Sequence, residues 1–213
     1  ESTGWNPVAD PLEAPDLRRF LTSLGRREGP HGRRFRYLSP NSDLLGWICE
    51  RAAGRRYADL LSEHLWRPMG AERPAAITGD RLGAARAAGG LCVTLRDLAR
   101  VGETVRCRGL ADGRSVVPGW WIDDILTAGD PEAWDGCEFE TMLPPDGRYR
   151  SQWYLSDGRG SQAMAAGIHG QWIWLDRDRG ITIAKLSSQP QPTTLGHDAI
   201  ELACFEAIAA AVS

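Results

Sequence analysis

The spacing of hydrophobic and polar residues changes near Gly147. Before it, apolar positions recur every three or four residues, the period of helices packed on one face. Over residues 16–24, Leu17, Phe20, Leu21 and Leu24 share a face, Asp16 is placed to cap, and Gly25 ends the run. Ser39-Pro40-Asn41-Ser42 opens a second helix. Its Leu44, Leu45, Trp47, Ile48 and Ala52 leave little polar surface before Gly54, so burial is expected. Residues 57–65 give a third helix, with Leu60, Leu61 and Leu65 on one side, broken at Trp66-Arg-Pro-Met-Gly70. Residues 94–105 follow a capping box: Thr94 at the cap, Asp97 three residues on, and Leu95, Leu98, Val101 and Val105 facing inward. Residues 118–128 read as a helix between Pro118 and Gly129. Residues 1–15 read as a surface loop, and Gly29-Pro30-His31-Gly32 as a turn.

After Gly147 the residues are β-formers. Residues 149–155 contain Tyr149, Trp153 and Tyr154, and residues 162–168 follow the turn Gly158-Arg-Gly160. Residues 171–175 and 181–186 read as a strand pair joined by Asp176-Arg-Asp-Arg-Gly180. Residues 198–212 are helical, with Ile200, Ala203, Cys204, Ala207 and Ile208 expected to form the packed face over the sheet. Helices, then an antiparallel meander, then a closing helix make an α+β layout. Residues 1–147 are the mostly helical region, and 148–213 the strands and last helix of the same domain.

Composition narrows the function classes without choosing one. A chain of 213 residues, 42% hydrophobic and 25% charged with a net charge of −3, is ordinary for a globular protein and gives no reason to expect nucleic acid or an anionic membrane as partner. No run reaches the roughly 18 apolar residues of a membrane span. Cys49, Cys92, Cys107, Cys137 and Cys204 form no Cys-x-x-Cys pair, which fits free thiols in a reducing, cytoplasmic compartment. His31, His64, His169 and His197 form no i, i+4 pair, so a metal is not expected, and no cofactor is. Lys185 is the single lysine among 25 cationic side chains.

No Gly-x-Ser-x-Gly elbow is present, and no cysteine has a neighbourhood that lowers its pKa. Tyr37, just ahead of the second helix, is a candidate proton carrier, since nearby positive charge lowers a phenol's pKa. Taken alone, it reads more readily as a core tyrosine with a satisfied hydroxyl. The surrounding strings add to this. Tyr37-Leu-Ser39 followed by Leu44-Leu-Gly46, then Leu65-Trp-Arg-Pro-Met-Gly70, then Ala88-Gly-Gly-Leu-Cys-Val-Thr-Leu-Arg-Asp-Leu-Ala-Arg100, then Gly167-Ile-His-Gly-Gln171 resemble, in order, segments of the penicillin-recognising serine hydrolases. That superfamily includes class C β-lactamases, DD-peptidases and esterases. Leu44-Leu-Gly-Trp47, Gly89-Gly-Leu-Cys92 and Gly167-Ile-His-Gly-Gln171 are most similar to its 6-aminohexanoate-dimer hydrolase branch.

The resemblance covers roughly residues 35–210 and implies the C-terminal portion of a β-lactamase/transpeptidase-like fold. It implies that Tyr37 shuttles a proton and that a backbone N–H near Gly167 forms half of an oxyanion hole. Ala165-Ala166-Gly167 and His169-Gly170-Gln171 both fit the third motif's place, and Gly167 followed by Ile168 as the donor is favoured because the donor follows the motif's glycine. Ser39, Trp153, Gly167 and His169 are implied to meet the substrate, although a histidine between glycine-flanked strands is commonly a hydrogen-bonded structural residue. The family's nucleophile lies in Ser-x-x-Lys, and the residue three before Lys185 is Thr182. The expected partners are therefore a small ester or linear amide, a segment carrying Ser-x-x-Lys outside these 213 residues and, at most, a second copy in a homodimer. The usual Lys/His-Thr-Gly triad is absent, which disfavours binding of a β-lactam carboxylate. Two other readings stand beside the hydrolase: an inactive β-lactamase-like binding protein or fragment, and a DD-peptidase or β-lactamase.

Overall fold

The computed structural model describes residues 16–25, 31–193 and 196–212. The loop expected at 1–15 and the Gly29-Pro30 half of the expected turn lie outside the described residues. The described residues group into two compact units. One combines residues 16–25 with Tyr37–Trp66 and Pro74–Val93; the other combines His31–Arg36, Arg67–Arg73 and residues 94–212.

The first unit holds helices α1 (Leu17–Ser23), α2 (Ser39–Ala53) and α3 (Tyr57–Leu61), a π-helical turn at Ser62–Trp66, and the two-residue strands β1 (Ala76–Ile77) and β2 (Leu91–Cys92). Asp16 caps α1 by accepting from the Arg19 N–H, and Leu17, Leu21 and Ala84 form a small core against Phe20 and Trp47. α2 departs from the expectation of burial. Its buried residues are Asp43 and Gly46, while Leu44, Leu45 and Ile48 are 40–55% exposed. Asp43 forms an ion pair with Arg86 at 3.1 Å and accepts the Ala88 N–H at 2.9 Å. Gly46 lies so close to the same loop that a Cβ there would sit 2.7 Å from Ala87 Cβ. A polar residue and a glycine dock this helix, and its leucines face away.

The second unit is built on helix α4 (Leu95–Arg106), the hairpin β3 (Leu110–Ala111) and β4 (Arg114–Ser115), helices α5 (Gly119–Thr127) and α6 (Pro131–Trp134), and a five-stranded antiparallel meander closed by a long helix. The strands are β5 (Arg148–Arg150), β6 (Trp153–Leu155), β7 (Gln162–Gly167), β8 (Gln171–Asp176) and β9 (Ile181–Lys185), in that spatial order, and the helix is α7 (His197–Val212). Residues 149–155, read as one β segment, form a hairpin because Ser151 and Gln152 take φ of 47° and 72° and turn the chain back.

One face of the sheet meets α4 and α5 through Val105, Ile122, Ile125, Leu126, Leu155, Ile173 and Leu175. The other face carries Trp172 and Trp174, which receive Phe205 of α7 with ring centroids 5.9 and 6.2 Å away. Phe205 and Ala209 are therefore the buried face of α7, whereas Ile200, Cys204 and Ile208 of the expected face are exposed. The helix is apolar nearly all round, so its sequence does not choose a face; the tryptophans of β8 do.

Candidate active site

In the first unit, Tyr37 lies on an extended lead into α2 and is 42% exposed. Leu38 holds the cap position in extended conformation, Ser39 is the first helical residue, and Pro40 fixes the opening turn. The Asp43 contacts with Arg86 and Ala88 hold this lead and the Ala88-Gly-Gly-Leu segment in one arrangement.

In the second unit, Gly167 and Gln171 pair at the end of the β7–β8 ladder, and Ile168, His169 and Gly170 make the turn. The Ile168 side chain is 57% exposed, and its N–H has no acceptor among the described residues. His169 takes φ of +61° and Gly170 +78°. The His169 N–H donates to the Pro192 carbonyl at 2.9 Å, and its Nδ1 lies 2.7 Å from the Gln189 carbonyl. A carbonyl only accepts, so Nδ1 carries a proton. Trp153 is packed in the core with Ile122, Leu126 and Leu155, against Ala165. Among the other tryptophans, Trp172 and Trp174 are core, while Trp120 and Trp121 sit at the surface, edge to face at 5.8 Å. Tyr37 and Ser39 thus belong to the first unit, and Trp153, Gly167, Ile168 and His169 to the second.

A cluster behind the turn was not singled out from sequence. Lys185 Nζ donates to the Gly170 carbonyl at 2.8 Å and to Glu201 Oε1 at 2.6 Å; Gln189 Nε2 and Trp172 Nε1 also donate to Glu201. The signal available in the sequence was the solitary lysine in an arginine-rich chain.

All five cysteines are free thiols. Burial, and then the Glu103 carboxylate beside it, pushes the Cys107 thiol up, and burial does the same for Cys137, so neither is poised as a thiolate nucleophile. Among the described residues no three His, Cys, Asp or Glu side chains group to hold a metal, and no helix is long and apolar enough to cross a membrane.

The Beta-lactamase family matches this sequence over residues 2–205. The chain is 42% identical to a 6-aminohexanoate-dimer hydrolase of Paenarthrobacter ureafaciens over 193 residues, which is 91% of this chain and 48% of that protein. Its fold is similar to a Bacillus anthracis protein provisionally assigned as a 6-aminohexanoate-dimer hydrolase, with a TM-score of 0.78 at 24% identity, covering 91% of this chain and 48% of the other. It is also similar to a penicillin-binding protein of Bacillus halodurans, with a TM-score of 0.64 at 16% identity, covering 91% of this chain and 63% of the other. The chain spans about half the length of the 6-aminohexanoate-dimer hydrolase relatives it matches. With its helical segments followed by an antiparallel meander and a closing helix, the chain belongs to the Beta-lactamase family and has the β-lactamase/transpeptidase-like fold.

Proposed function

We propose that this chain forms the C-terminal half of a serine hydrolase that cleaves short esters or linear amides of the 6-aminohexanoate-oligomer kind. The nucleophile sits in a Ser-x-x-Lys segment outside these 213 residues. The serine oxygen attacks the substrate carbonyl carbon, and the resulting oxyanion is held by the Ile168 N–H and the serine's own N–H. Tyr37 passes the serine proton to the leaving alcohol or amine as the C–O or C–N bond breaks. Water then attacks the acyl-enzyme, returning the proton to serine and releasing the acid. Ser39, Gly167 and His169 border the substrate, and Trp153 backs its pocket.

The observation that carries this reading is the 42% identity over 91% of the chain, to which the unengaged Ile168 N–H adds a donor of the required kind. The exposed Leu44, Leu45 and Ile48 face of α2 fits packing against the half that bears the serine. The five free thiols fit a cytoplasmic location.

The test is turnover of a p-nitrophenyl ester and of the 6-aminohexanoate linear dimer by the full-length gene product, with and without Tyr37→Phe. Loss of kcat on the order of 100-fold or more, with the fold intact, supports the reading. Unchanged turnover in Tyr37→Phe removes tyrosine from the mechanism. Acylation by penicillin in place of ester turnover would favour the DD-peptidase or β-lactamase reading.

A further inference from the structure

The turn at 168–170 is restrained on every side except at Ile168. Gln171 donates its side-chain amide to the Ser187 carbonyl at 2.5 Å and accepts the Ser187 N–H at 3.1 Å. His169 is tied by its ring to the Gln189 carbonyl, by its N–H to Pro192, and by its carbonyl to the Gln189 N–H at 3.3 Å. Gly170 is held from below by Lys185 Nζ at 2.8 Å. The packing there is close: a Cβ on Gly170 would lie 2.6 Å from Gln189 Nε2 and 3.0 Å from Lys185 Nζ.

Lys185 is itself fixed. Its strand partner is Trp172, and its ammonium is paired with Glu201, whose side chain is 13% exposed. Glu201 also accepts from Gln189 and from the Trp172 indole, so one carboxylate of α7 gathers β8, β9 and the strap at 187–192. Asp198, one turn earlier on α7, is the other carboxyl near this centre. Burial, and then Glu201, pushes its pKa up, against the opposing effect of His197. Elsewhere the chain uses arginine, whose planar fork reaches carboxylates two bonds at a time. Here one compact ammonium must meet a carbonyl and a carboxylate within a closely packed space, which a lysine does and a guanidinium does not.

We propose that Lys185, anchored by Glu201, is a positioning residue that sets the direction of the Ile168 N–H by fixing the Gly170 carbonyl. This rests on the oxyanion role given to Ile168 above. The network restrains the neighbours of the donor and leaves the donor open, as a preorganised donor requires.

The experiment compares Lys185→Met, Glu201→Gln and the double variant in the full-length protein. Ester kinetics and hydrogen exchange of the amides at 168–171 are measured on each. Lys185→Met is expected to lower kcat on the order of 10- to 100-fold with KM within about twofold, since a small misplacement of a catalytic group is felt mostly in the transition state. The double variant is expected to lose no more than the worse single, because the pair acts as a unit. Exchange of the His169 amide, which donates to the Pro192 carbonyl, is expected to quicken while the rest of the sheet stays protected. Unchanged kcat in Lys185→Met beside an active wild type overturns the proposal and leaves the hydrolase reading standing. An inactive wild type defeats the hydrolase reading, and exchange then decides the structural part: unaltered protection of the turn in Lys185→Met overturns that as well.

Discussion

Replacing Asp97 should destabilise the second unit. Asp97 is 0% exposed. Its carboxylate accepts the Glu72 N–H at 2.7 Å, the Arg73 N–H at 3.2 Å and the Thr94 hydroxyl at 2.8 Å, and it pairs with Arg100 at 3.3 Å. It therefore completes the start of α4 and ties down the segment at 72–73. Burial opposes its charge, but the donors of Glu72, Thr94 and Arg73 outweigh that, and its pKa is lowered. Asp97→Ala leaves two backbone donors without their acceptor, at about 1–3 kcal/mol each, and weakens a cap worth about 1 kcal/mol. Because Glu72 and Arg73 are themselves exposed and water can partly replace the carboxylate, the expected loss is about 2–4 kcal/mol. That is a large share of the roughly 5–15 kcal/mol that holds a domain together. Urea unfolding at neutral pH should show the midpoint falling with the slope unchanged. The sign of the pH effect follows: a depressed carboxylate pKa adds stability above about pH 4, and this is lost as pH falls through the folded-state value. The gap between wild type and variant should therefore narrow in acid. A loss below about 1 kcal/mol, or a gap that widens in acid, would refute the role given to this carboxylate.

Other expectations follow from single contacts. Gly102→Ala in α4 should gain about 1 kcal/mol of helix propensity but lose about 1–3 kcal/mol to overpacking. Its Cβ would lie 2.7 Å from Ile173 Cγ2 and 2.8 Å from Thr182 Cγ2; a clear rise in stability in urea unfolding would show that α4 does not pack there. Gly170→Ala, at φ +78° and against Gln189, should cost about 1–3 kcal/mol and lower ester turnover; equal activity would separate the turn from catalysis. The Arg106 side chain, helped by Cys107 and Thr182, lowers the Glu103 carboxyl to about 2 against the opposing effect of burial. Its stabilising contribution is complete above about pH 4.3 and fades toward pH 2, so Glu103→Gln should flatten the acid limb of a thermal-melting pH series.

The sequence made some elements legible because local chemistry decides them. Asp16 and Thr94 cap their helices as read, Gly54 ends α2 in the left-handed region, and Gly180 closes the connection into β9. Where tertiary contacts decide, the pattern misled. α2 was expected to be buried by its leucines, yet Asp43 and Gly46 dock it. α7 has apolar residues all round, and only the tryptophans of β8 select Phe205 and Ala209. The β3–β4 hairpin has a turn signal in Asp112-Gly113, both at positive φ, but strands of two residues are too short to show an alternating pattern. Tyr37 and the Ile168 turn came from ordered motifs. The Lys185–Glu201 network could not be read from spacing, since 16 positions and a strand-to-helix connection separate its members.

The central claim is that this chain serves a serine acyl-enzyme. It is tested most directly by intact-mass spectrometry of the full-length gene product before and after a fluorophosphonate probe. The account predicts a mass well above 23.4 kDa and a single adduct, mapping by peptide sequencing to the serine of a Ser-x-x-Lys segment that precedes Tyr37. A protein of any mass that stays unlabelled while an unrelated serine hydrolase in the same tube is labelled would contradict it.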